Sequence, residues 1–147
     1  MVNISDRKAW LSLLARAPGA DLSGFWQALT DVPSFTWLRQ PEIGGVMVRG
    51  RMGGTGGPFN LGEMTVTRCS LRLDCGTVGH GYVQGRDKAK AEIAAMVDAM
   101  MQTDRSADVR AGVLAPLQAK MATMQKDRAE KAAATKVDFF TLVRGED

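Results

Sequence analysis

With 147 residues, 45% of them hydrophobic and 24% charged, the chain has the length and make-up of one soluble globular domain that buries roughly two-thirds of its unfolded surface. A formal net charge of +3 is far below what a dedicated nucleic-acid binder carries, and no apolar run approaches the ~20 residues that span a bilayer. Neither nucleic acid nor membrane is therefore expected as a partner. The opening Met1-Val2-Asn3-Ile4-Ser5-Asp6 lacks the charged-then-apolar pattern of a secretory leader, and two cysteines are too few for a disulfide framework, so the expected compartment is the reducing cytoplasm.

In chain order, Ser5 can cap a helix running to about Ala17 with Trp10, Leu13, Leu14 and Ala17 on one face, ended by Pro18-Gly19. Asp21 is a plausible second cap, before a short helix with Phe25, Trp26 and Leu29 apolar. Pro33 and Pro41 bracket Phe35 to Leu38, a short extended segment suited to a sheet edge. Three strands follow: Val46 to Met52, Met64 to Leu73 and Thr77 to Gln84, with Asp74-Cys75-Gly76 as the second turn. Their tight spacing predicts an antiparallel meander with one arginine-bearing and one apolar face. A helix over Lys88 to Gln102, capped by Asp87, carries a stripe of Ala89, Ile93, Met96, Val97, Met100 and Met101 that can cover the apolar face. A polar stretch from Thr103 to Arg110 then leads to a helix from about Pro116 to Ala134. Its apolar stripe is thin (Leu117, Met121, Met124), so it is expected to project, and it delivers an apolar terminal strand from Val137 to Val143. The predicted fold is α+β within a single domain over 1–147, with a body over about 1–103 and a C-terminal arm over about 113–147.

The chemistry-bearing residues cluster in the middle. From Arg39 to Lys90 there are eight basic residues against four acidic ones, and twelve of the sixteen glycines. The run Arg51-Met52-Gly53-Gly54-Thr55-Gly56-Gly57-Pro58 joins two strands. It has no Gly-Lys-Ser/Thr ending and precedes a strand, so it matches neither a nucleoside-triphosphate P-loop nor a dinucleotide loop. Its backbone N–H groups beside Arg51 and Thr55 are chemically able to hold an anion; equally, the glycines can serve the turns of a long hairpin, or contact a partner. Arg49 and Arg51 share one strand face and Arg68 and Arg72 another. In suitable register they would form an anion-binding patch, and otherwise they are solvated. Arg86 stands just before the Asp87 cap. Cys69, Cys75 and His80 lack both metal-ligand spacing and an orienting third group, and Gly79 and Gly81 around His80 are expected to let a helix or partner press on the strand.

Five ordered blocks (Arg51 to Gly56, Thr65-Val66-Thr67-Arg68, Gly85 to Lys88, Asp98 to Gln102, and Val137 to Gly145) resemble the PhnG family, the G subunit of the bacterial carbon–phosphorus lyase system. They keep their order and spacing over roughly the last two-thirds of the chain; the amino-terminal third is similar only as a helical lead-in around Trp10. The resemblance implies a non-autonomous subunit of a transferase complex that couples ATP to a phosphonate. Adenine is displaced from the ribose and the phosphonate takes its place at the anomeric carbon. The implied partners are the I, H and J subunits, an ATP-binding-cassette-type L subunit, and a second copy of this chain in a two-fold complex. No cofactor is expected on this chain alone. ATP is the substrate of the complex, and an iron–sulfur cluster with S-adenosylmethionine belongs to another subunit.

Under this reading no catalytic or metal-binding residue is assigned here. Arg51, Gly53, Gly54, Thr55, Gly56, Arg68 and Arg86 are candidates for supporting a composite site or contacting a partner. Val137, Phe139, Phe140, Leu142, Val143 and Arg144 are candidates for docking onto a partner. Two readings from other classes stand beside it: a free-standing anion- or nucleotide-binding module using the glycine loop, and a small regulatory or nucleic-acid partner using the basic sheet face.

Overall fold

The computed structural model describes residues 6–136. Ser5, the tail candidates Val137, Phe139, Phe140, Leu142 and Val143, and Arg144 lie outside the described residues. Helix α1 (Arg7–Arg16) starts at Asp6, whose extended backbone and carboxylate (accepting from the Lys8 N–H at 3.3 Å) supply the cap. Its buried face is Trp10, Leu13 and Leu14, as the spacing predicts. Helix α2 (Gly19–Gln27) begins directly after Pro18, so Asp21 is not its cap. Asp21 instead sits in the first turn, where negative charge complements the helix dipole, and it pairs with Lys120 at 2.6 Å.

Strands β1 (Phe35–Arg51), β2 (Pro58–Leu73) and β3 (Val78–Gln84) form one antiparallel sheet in the order β1-β2-β3. Two expected pieces, Phe35 to Leu38 and Val46 to Met52, are thus one strand running through Pro41, and β2 starts at Pro58 rather than Met64. Pro41 is tolerated because β1 is an edge strand and its ladder shifts register between Trp37 and Arg39 and again before Glu42. On β2 the alternation holds, with Thr67, Cys69, Leu71 and Leu73 buried and Arg68 and Arg72 exposed.

Helix α3 (Lys88–Met100) lies on the inner face, its first turn capped by Asp87 Oδ1 accepting from the Lys90 N–H at 2.9 Å. It runs antiparallel to β3: Ala91 lies against Gly81, and Ala95 and Ala99 against Gly79. A Cβ at Gly79 would meet the Ala99 Cβ at 2.7 Å and its backbone nitrogen at 2.8 Å, so helix and strand touch backbone to backbone. The expected stripe is buried at Met96, Val97, Met100 and Met101, and burial also extends beyond it. Ala89 is exposed and Ile93 half-buried, while Ala91, Ala94, Ala95 and Ala99 are buried. With α1 and α2 packed on its far side, α3 is enclosed from both directions.

Beyond α3 the chain remains largely helical, through α4 (Ser106–Val109), a π-helical turn (Arg110–Leu114) and α5 (Ala115–Ala134). The expected polar stretch therefore folds onto the body. Val109, Val113, Leu114 and Leu117 are fully buried, and the core extends past residue 103. The wider π turn ends two residues before Pro116, which has no N–H to donate to the carbonyl four residues back and whose ring would clash with it in a regular helix. From residue 122 onward α5 is exposed on every side and projects, as its thin stripe predicts. Among the described residues no helix is long and apolar enough to cross a membrane.

Candidate functional site

The glycine run forms the tip of the β1–β2 hairpin. Arg51 pairs with Pro58 across the ladder, and Met52–Gly54 makes a single 3-10 turn between them. Gly53 and Gly54 have φ of 58° and 81°, the left-handed region where a Cβ is costly. The N–H groups of Thr55 and Gly56 both turn inward to the Met52 carbonyl, the latter at 2.9 Å, and Arg51 Nη1 donates to the Gly56 carbonyl at 3.1 Å. The tip is thus closed by its own hydrogen bonds, and the glycines meet the demands of a tight turn.

The remaining candidates lie elsewhere. Arg68 pairs with Glu42 across the ladder and shares its carboxylate, at 3.8 Å, with Arg39 at 3.7 Å. Ten residues of strand separate it from Pro58, roughly 33 Å. Arg49 and Arg51, opposite Asn60 and Pro58, therefore do not join Arg68 and Arg72 in one patch. Arg86 follows Gly85, whose N–H bonds to the Thr65 carbonyl at 2.9 Å, so it stands at the base of the free hairpin. There a shallow groove of about 330 Å³ is lined by Ile43, Gly44, Gly45, Glu63, Thr65 and Arg86. The Glu63 carboxylate folds over Gly45 in the same groove and opposes any anion that Arg86 would attract.

Cys69, Cys75 and His80 are likewise separate. The Cys69 thiol is buried on the inner face, donates to the Ala91 carbonyl at 3.1 Å, and is pushed up to about 11 by burial. His80 is on the outer face with Nδ1 2.8 Å from Ser70 Oγ, and Cys75 is exposed in the β2–β3 turn. Among the described residues no group of three His, Cys, Asp or Glu is placed to hold a metal ion. The hydrogen bond with the Thr77 side chain lowers the Cys75 thiol below its usual value. One equivalent of an alkylating reagent is therefore expected to react rapidly at pH 8, at Cys75, and the second only after unfolding. Peptide mass mapping checks this, and rapid double labelling of the native chain would contradict it. Because the folded Cys69 value lies above the unfolded 9.0, its stabilising contribution is complete below pH 9 and is lost as the pH rises through about 11.

The family described as phosphonate metabolism protein PhnG matches residues 5–145. The chain belongs to the PhnG family. It is also 49% identical over 147 residues, covering 98% of this chain and 92% of the relative, to the Rhizobium meliloti (strain 1021) protein named alpha-D-ribose 1-methylphosphonate 5-triphosphate synthase subunit PhnG. The matched span takes in all five ordered blocks and the amino-terminal helices that only resembled the family in character.

In this PhnG-family chain the most tightly built polar cluster escaped the sequence reading. Asp98 is fully buried and accepts from Arg7 Nε (3.0 Å) and Nη2 (2.7 Å), Trp10 Nε1 (2.9 Å) and the His80 backbone N–H (2.9 Å). It ties α1 to α3 and to β3. Among the described residues Lys90 is the other buried charge, donating from Nζ to the Ala15 carbonyl at 3.0 Å, and burial lowers its pKa. A lone acid inside the apolar run Ile93 to Met101 was the available signal for Asp98, since a carboxylate is rarely enclosed without donors.

Proposed function

We propose that this chain is a structural subunit of a ribose 1-methylphosphonate 5-triphosphate synthase in phosphonate catabolism. The observation that carries the reading is 49% identity, along nearly the whole of both chains, to a protein named as that subunit. In the finer reading, the complex displaces adenine from ATP and joins the phosphonate to the anomeric carbon of the ribose triphosphate. The I, H and J subunits assemble with this chain, an ATP-binding-cassette-type L subunit joins them, and iron–sulfur chemistry resides on another subunit. A second copy of this chain enters a two-fold assembly, and the site of action is the cytoplasm.

The surface of the chain supports a docking role. Its hairpin tip, the Arg86 groove and the free length of α5 all lie outside the core. Arg51 to Gly56 then contributes as a shaped contact at the edge of a composite site, while Arg68 and Arg86 contribute at a separate level, and residues 137–144 supply a further docking segment. Phosphonate-dependent release of adenine from ATP by the reconstituted complex tests the reading. The rate is expected to fall to background when this chain is omitted and to return when it is added. An unchanged rate without it would refute the proposal, as would tight ATP binding to the chain alone in calorimetry, which would favour a free-standing nucleotide module.

A further inference from the structure

Among the described residues two parts of the chain extend beyond the body, and both leave from the same end. β3 pairs only with Val66–Arg72 of β2, so the hairpin built from β1 and residues 58–65 continues past Gln84 and past the start of α3. Residues 58–64 are all exposed, and at ~3.3 Å per residue this arm reaches more than 20 Å. The course of α5 follows from its contacts with α2. Gly112 lies against Leu29, just beyond the end of α2, and Lys120 pairs with Asp21 near its beginning. The helical run therefore travels toward the α2 start, where Gly19 lies against Asp87 at the α3 start. The exposed part of α5, from residue 122 to Ala134, continues in that direction for ~20 Å. Hairpin and helix are two prongs of similar length.

The prongs are separated by the layers between them. α3 packs on the sheet, α2 on α3, and α5 on α2. The three steps from sheet to α3, α3 to α2 and α2 to α5, at ~10 Å each, put the prong axes up to ~30 Å apart, leaving between them a gap that admits helical elements of ~10 Å diameter. Both prongs offer apolar side chains toward the gap. Ile43 and Met47 stand opposite Thr67 and Glu63 on the inner sheet face, and both are exposed. On α5, Met124 continues the stripe that begins with buried Leu117 and half-buried Met121, and it too is exposed. Flexible thioethers on both sides suit an adaptable protein contact.

Charge identifies the occupant. The hairpin carries Arg49 and Arg51 against Glu63, Arg86 and Lys88 stand at the base against Asp87, and residues 122–136 of the helix hold four basic side chains against two acidic ones. The fork therefore has a surplus of four positive charges, more than the +3 of the whole chain. The geometry points to a clamp in which hairpin and α5 together grip an acidic, apolar-ridged helical hairpin of a different subunit of the synthase. This inference rests on the subunit reading above.

The test co-expresses the full chain with the cognate synthase subunits, tags the large subunit, and compares wild type with Met47→Asp and with the double variant Arg128→Glu, Lys131→Glu. All three substituted side chains are exposed, so each variant is expected to retain the wild-type circular dichroism and melting temperature. Each is expected to weaken association by about tenfold or more, and wild-type association is expected to weaken with salt. Stoichiometric co-purification of both variants with unchanged affinity would overturn the clamp and leave the subunit reading standing. Loss from only one prong would overturn the two-sided grip. Wild-type chain that ignores the synthase subunits would refute the subunit reading, and the clamp with it. Nucleic acid co-purifying with wild type and lost from the prong variants would show a different occupant and overturn the proposal.

Discussion

Replacing Asp98 with alanine is expected to cost the fold about 3–5 kcal/mol. The carboxylate is wholly enclosed and meets four donors from two elements, α1 and β3, so its removal leaves the Trp10 indole N–H and the His80 amide without this acceptor. The Arg7 arm contributes less of the total. Its side chain is 42% exposed and can return to water, although the Asp98 hydrogen bond and charge raise its pKa. For a domain of this length the melting temperature is expected to fall by roughly 10 °C. Asp98→Asn, which keeps the shape and one acceptor, should lose less, and Trp10→Phe about 1–2 kcal/mol. Urea unfolding of the three variants orders them. An Asp98→Ala chain within 1 kcal/mol of wild type would show that the donors find water when the carboxylate is gone, contrary to this account.

The second large effect is expected at Gly79 and Gly81. Adding one methyl group at either position drives it into the α3 backbone: against the Ala99 nitrogen at 2.8 Å in the first case, and against the Ala91 carbonyl carbon at 3.0 Å in the second. Backbone cannot swing aside as a side chain can, so helix and strand must separate along their whole contact. Gly79→Ala and Gly81→Ala are each expected to cost about 3 kcal/mol, the upper end for overpacking, and the double variant is not expected to fold cooperatively. Thermal melts read this directly. A Gly79→Ala chain melting within about 2 °C of wild type would mean that the contact is looser than these distances imply.

These two sites show what the amino-acid pattern could and could not convey. The glycines flanking His80 marked a close approach, because glycine inside a strand is otherwise a loss, and the α3 alanines turned out to be its other half. The meander, its arginine-bearing outer face, the Asp87 cap and the projecting α5 were equally legible, since each follows from a local period or a capping residue. Asp98 was not, because its donors lie 88 and 91 residues away at Trp10 and Arg7, and no local rule connects them. The same limit applied to the arginines. Strand alternation set Arg51 and Arg68 on faces, but only the register, Arg51 with Pro58 and Arg68 with Glu42, shows that they stand at different levels. Pro41 misled in the opposite direction. It broke the predicted strand in two, whereas an edge position with shifted register absorbs it. Helicity after Thr103 was hidden by polar composition, although Val109, Val113 and Leu117 are fully buried.

The free length of the hairpin also bears on how much of this chain a cell can hold. Along residues 58–64, β2 has no strand partner on the side away from β1 among the described residues, and the exposed Met52 and Leu61 lie at or near the tip. A ribbon of that kind is a template for strands of any origin, including those of other molecules of the same polypeptide. Copies made in excess of whatever covers the ribbon are copies prone to aggregate and to be degraded. Under the proposed subunit role, the tolerable abundance of the chain is tied to that of the partner covering this ribbon, so that balanced synthesis becomes a condition of solubility as well as of activity.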